Sequence, residues 1–144
     1  MAQVQASVLA WIHLLRVHHQ IQRRETAQLA QYNLTLPQFD VLVQLSREEG
    51  ITQQCLADRL LVTKGNVCGL MDRMVEQGLV ERRADPQDRR AYMLYQTPKA
   101  RALMQKVVPA QSRFIAAQLG KLSPVKQKQL LALLSELDRA LAAE

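Results

Sequence analysis

Cysteine, glycine and unbroken apolar sequence are all scarce in this chain of 144 residues. Its two cysteines, Cys55 and Cys68, are too few for a disulfide framework, and their spacing fits no zinc motif. Five glycines leave little for a phosphate-cradling loop. There is no nucleophile elbow and no pair of carboxylates with a supporting histidine. These absences argue against an enzyme, so no catalytic residue, metal or cofactor is expected. Arg16, His18, His19, Arg23 and Arg24 interrupt the first apolar stretch, which excludes a signal peptide or a spanning helix there. No membrane association and a cytoplasmic location are the expectation. His13, His18 and His19 cluster on the first helix, but adjacent His18 and His19 diverge by about 100° and cannot easily share an ion.

What is present is a moderate basic excess. The net charge of +6 and a pI near 9.7 favour an anionic partner. Residues 1–50 are neutral, while residues 51–101 carry nine Lys/Arg against six Asp/Glu. Charge alone does not establish nucleic-acid binding. The length allows one domain with a real core.

The stretch from Ile51 to Thr97 carries the argument. Thr52 is a suitable helix cap, and Leu56 and Leu60 follow one turn apart on one face. Leu61-Val62 read as a turn and Thr63 as a second cap. Val67, Leu70, Met71 and Met74 then recur at helical spacing toward a core, and Gly78 falls where a left-handed cap is expected. On the opposite face lie Gly65, Gly69 and Asp72, flanked by Asn66, Cys68 and Arg73. Each glycine weakens a helix by roughly 1 kcal/mol relative to alanine. Both on one outward face make sense if something approaches the backbone closely, as a groove floor does. Drift at a tolerant surface is the plain alternative, and Lys64, Asn66 and Arg73 weigh against it. Segments 79–83 and 91–96 read as two strands around a turn begun by Asp85-Pro86. The whole is a winged helix-turn-helix, with an arginine-tipped hairpin suited to a narrow minor groove. A solvated edge guarded by arginine is the alternative for the hairpin.

Residues 3–31 read as a long helix whose apolar residues Val4, Val8, Trp11, Ile12 and Leu15 extend sideways through Leu14, Val17 and Ile21. So wide an arc needs two surfaces to cover it. Thr35 caps a second helix with Pro37 in its first turn and Phe39, Leu42, Val43 and Leu45 inward. Thr97-Pro98 starts another long helix to about Leu119, with Pro109 expected to kink it. Ser123-Pro124 starts the last helix, with Leu130, Leu133, Leu134, Leu137 and Leu141 on one side. An intramolecular core would account for that stripe residue by residue. An intertwined homodimer accounts for both terminal helices together.

These residues resemble the MarR (multiple antibiotic resistance regulator) family of winged-helix transcription factors over nearly the whole length. Asp85-Pro86-Gln87-Asp88-Arg89-Arg90 matches the family's Asp-Pro-x-Asp-x-Arg wing signature. Thr63-Lys64-Gly65-Asn66-Val67, Gly78-Leu79-Val80 and Leu36-Pro37-Gln38-Phe39 fit its recognition helix, its exit and its second helix. The resemblance implies a mostly helical, dimeric, bacterial or archaeal DNA-binding regulator, more often a repressor, released by a small molecule such as a phenolic or aromatic acid. It implies that 1–34 and 98–144 form the dimerisation helices and 35–97 the DNA-binding lobe. It makes Arg90 the minor-groove arginine, held by Asp88, with Arg89 near the DNA backbone. Asn66 then suits adenine, Lys64 guanine or phosphate, and Gln53 and Arg73 the backbone, while Thr63, Gly65, Cys68 and Gly69 complete the face. Asp72 either accepts from a cytosine or orients an arginine. The family's ligand sites lie between lobes, where Trp11, His13 and Phe39 are candidates, with packing at the dimer seam as the alternative. Some relatives sense oxidants through a first-helix cysteine, which this chain lacks. Oxidation of Cys68 remains a second reading, and a protein-interaction adaptor a third. Unchanged DNA affinity after peroxide treatment would end the redox reading.

Overall fold

Threonine and serine side chains set where four of the described helices begin. The computed structural model describes residues 2–60 and 64–144. Helix α1 (Ala2–Ala30) is followed by α2 (Leu36–Arg47), whose cap Thr35 accepts the N–H of Gln38 at 3.3 Å. Gln38 returns the favour through its own side chain to the Thr35 N–H at 3.1 Å, closing a capping box. Strand β1 (Ile51–Thr52) leads into α3 (Gln53–Leu60), and the Thr52 hydroxyl accepts the N–H of Cys55 as expected. Helix α4 (Lys64–Glu76), strands β2 (Val80–Ala84) and β3 (Tyr92–Gln96), α5 (Pro98–Leu119) and α6 (Pro124–Ala142) complete the order. Thr63, expected as a cap and a DNA contact, the Leu61-Val62 turn and the side chains of Val4 and Lys64 lie outside the described residues.

Helix ends follow the same local chemistry. Gly78 has φ +71°, its N–H reaches the carbonyl of Val75, and Leu79 N–H reaches that of Met74. That is the double bond of a Schellman cap, which needs the left-handed residue glycine supplies. Thr97 does two jobs. Its hydroxyl accepts the Ala100 N–H to start α5 and donates to the Gly78 carbonyl at 2.6 Å, where α4 has just ended. Pro109 sits inside α5, which continues through it to Leu119.

The sheet is antiparallel in the order β1-β3-β2. Strands β2 and β3 fall on the two segments bounded by Gly78 and the Asp85-Pro86 turn. The third, β1, is two residues long and exists only through pairing of Ile51 with Leu94 and Thr52 with Met93, so no spacing in the sequence announces it. The core gathers Val41, Leu42 and Leu45 of α2, Leu56 of α3, Val67, Met71 and Met74 of α4, and Leu94 of β3. Leu29 of α1 and Ala100, Met104 and Val107 of α5 close it from the other side. Helix α6 contributes no buried residue. Leu131, Leu133, Leu134, Leu137 and Leu141 are all exposed in the single chain, and Leu130 is half-buried, so the intramolecular core does not account for that stripe. The apolar arc of α1 is likewise exposed from Val8 to Val17, with Trp11 58% accessible.

Candidate nucleic-acid interface

Helix α4 divides cleanly between two environments. Val67, Met71 and Met74 are fully buried and Leu70 half-buried, which fixes the rotation of the helix. Gly65, Asn66, Cys68, Gly69, Asp72 and Arg73 consequently face outward. A Cβ added at Gly65 or Gly69 would meet nothing within 4 Å. The chain's own packing therefore does not require glycine at either position, and the low profile of the helix is available to something outside the fold.

Beside it stands the hairpin of β2 and β3. Its tip is shaped by two aspartates: Asp85 Oδ1 accepts the N–H of Gln87 and Asp88 Oδ1 that of Arg90, both at 2.9 Å. Asp88 thus holds the main chain of Arg90 and sets the point from which its side chain projects. Arg89 and Arg90 are exposed and take part in no ion pair among the described residues. Arg83, lower on the hairpin, is committed to the wing itself. Its guanidinium lies 3.9 Å from the centre of the Tyr95 ring and pairs with Glu81 at 3.3 Å.

Arg82 is the residue that sequence reasoning missed. It points back under the wing, where Nη1 meets Asp72 Oδ1 at 2.6 Å, Nε donates to Gln53 Oε1 at 2.7 Å and Nη2 to the Cys68 carbonyl at 3.3 Å. Of the two roles considered for Asp72, orienting an arginine is the one seen here. Strand alternation was the available signal. Val80 is buried and Glu81 exposed, so the next residue returns to the inner face, where a guanidinium needs acceptors.

The sequence model of the MarR family matches residues 32–91, which run from the end of α1 through the wing tip. An HTH-type transcriptional regulator of Bacillus cereus is 27% identical over 132 residues, covering 91% of this chain and 88% of its own length. The solved structure of the transcriptional repressor CouR bound to a 23-mer DNA duplex superposes with a TM-score of 0.84 at 26% identity, over 93% of this chain and 95% of that one. In sequence over residues 32–91, and in fold over nearly its whole length, the chain is similar to the MarR family of transcriptional regulators. A further MarR-like regulator from Bacillus cereus shares the fold at a TM-score of 0.87 and 21% identity, covering 95% of this chain and 99% of that one.

Within this fold the expected ligand residues differ in burial. Phe39 is in the core, as its inward spacing on α2 also required, while Trp11 and His13 are exposed on α1. A cleft of about 920 Å³ opens between α1, the start of α2 and α4. Thr26, Asp40, Leu60, Asn66, Leu70 and Arg73 are among its lining residues, and Trp11, His13 and Phe39 are not. Asn66 and Arg73, read from the sequence as DNA contacts, thus border the cleft as well. Burial pushes the Asp40 carboxyl above its ordinary value. Nearby Glu25 of α1 is raised first by burial and then by the charge of Asp40, against the opposing pull of His18 and a hydrogen bond from Gln111 of α5. Cys55 is half-buried and Cys68 exposed, and both are free thiols. No group of three or more His, Cys, Asp or Glu suited to a metal occurs among the described residues, and no described helix is long and apolar enough to cross a membrane.

Proposed function

We propose that the chain is a sequence-specific DNA-binding repressor that works as a cytoplasmic homodimer on a pseudo-palindromic operator. The observation that carries this is the exposed glycine face of α4 standing beside a hairpin tipped by Arg89 and Arg90. The helix suits a major groove and the hairpin the adjoining minor groove. Gln53, Asn66, Gly65, Gly69 and Arg73 supply the helix side of the contact, with Thr63, Lys64 and Cys68 completing the expected set. A relative whose structure includes a DNA duplex supports the same reading.

Dimerisation is supported by the apolar arcs of α1 and α6, which one chain leaves uncovered. A two-fold axis would then place two α4 helices about 34 Å apart, one turn of duplex. The cleft between α1, α2 and α4 suits a small molecule, with a phenolic or aromatic acid as the class to try first. It would release DNA by binding one spacing of the recognition helices more tightly than another.

The direct test selects duplexes from a randomised pool with the purified chain and measures affinity against salt. We expect an enriched inverted repeat and a log–log slope of about 0.9 per phosphate neutralised. A chain that enriches no sequence, or binds with a flat salt dependence, would refute the DNA reading.

A further inference from the structure

We propose that Arg82 is a positioning residue for DNA recognition: it locks the wing onto the recognition helix and sets the carboxylate of Asp72 and the amide of Gln53 on the DNA-facing side. This rests on the DNA reading above and adds to it a residue that itself need not touch DNA. All three nitrogens of the guanidinium are engaged. One bonds the Gln53 side chain on α3, one the Asp72 carboxylate on α4, and one the Cys68 carbonyl a turn earlier on α4. Three elements thereby meet at one planar group whose side chain is only 21% accessible.

Geometry gives this arrangement its consequence. The link joining α4 to β2 is short, but the tip of the hairpin lies five residues further out, where a small rotation at the base becomes a large displacement of Arg90. A planar fork bonded on three sides restricts that rotation, whereas a lysine at the same place is a single point charge. Electrostatics adds a second effect. Asp72 is 59% accessible on a face meant for phosphates, and an unpaired carboxylate there would repel them. Arg82 neutralises it and occupies one of its two oxygens, leaving the carboxylate able to accept from a cytosine amino group. Helix and wing then approach DNA as one piece, so contacts in the two grooves reinforce each other.

The experiment compares the wild-type chain with Arg82→Lys, Asp72→Asn and Arg90→Ala, singly and combined. The probes are a duplex enriched by the wild-type chain and a duplex of scrambled sequence, with thermal stability measured alongside. Arg82→Lys should weaken the enriched duplex about tenfold while leaving the scrambled one within about twofold. In that background Arg90→Ala should cost measurably less than in the wild type, because groups that act together are not additive. Asp72→Asn nearly preserves shape, and should weaken the enriched duplex while binding the scrambled one no less tightly. It decides the matter should Arg82→Lys lose its folding transition. Equal losses on both duplexes would make Arg82 a simple phosphate contact and overturn the proposal, as would unchanged affinity or strict additivity with Arg90→Ala. A wild-type chain that enriches nothing overturns the DNA reading itself, and this inference with it.

Discussion

Helices α4 and α6 carry similar apolar stripes and meet opposite fates. Val67, Met71 and Met74 of α4 are fully buried within the chain, whereas α6 buries none of its leucines and leaves Leu131 66% accessible. Periodicity alone makes both helices amphipathic, and it says nothing about whose surface will cover the stripe. The winged-helix part buries the inner stripe of α4 itself, leaving Val75 and Tyr92 exposed. The terminal helices present a surface that a second copy of the chain would complete, which is the basis of the proposed dimer.

Four measurements test that contrast, beginning with the largest effect. Leu42→Ala empties a fully buried site in the winged-helix core and should cost about 2–5 kcal/mol in denaturant unfolding. Its effect should stand at any protein concentration at which the dimer persists. Leu134→Glu with Leu137→Glu should instead yield a monomer by sedimentation, with duplex affinity lowered about a hundredfold or more through loss of paired binding. A dimer that survives both carboxylates would place the interface elsewhere. Arg90→Ala should cost about 1–3 kcal/mol in binding to the selected duplex and leave both dimer mass and melting temperature unchanged. Wild-type affinity in that variant would remove the wing from the interface.

The smallest effect lies where the two regions join. The carboxyls of Glu25 on α1 and Asp40 on α2 are both raised, so the folded chain holds their protons more tightly than the unfolded chain. Their contribution to stability is therefore present in acid and is lost as pH rises through the raised values. Asp40→Asn should melt slightly above the wild type at neutral pH, and the gap should close as pH falls toward about 4, the ordinary carboxylate range. A gap that widens in acid would reverse the assignment.

Much of the fold was legible because it is written in local chemistry. Thr35, Thr97 and Ser123 begin helices where a hydroxyl before proline says they should, and Gly78 ends one with the backbone angle only glycine adopts freely. The outward face of α4 followed from the inward one. What stayed hidden depends on contacts between segments. Strand β1 is defined by its partner rather than by its residues, and the Arg82–Asp72 pair forms across the turn between α4 and β2. Phe39, read both as an inward residue of α2 and as a ligand-site candidate, is buried in the core.

The hydroxyl of Thr97 has a mechanical meaning beyond starting a helix. Because it bonds both the first turn of α5 and the Gly78 carbonyl in the cap of α4, a single oxygen atom ties the start of the long helix to the place where α4 ends.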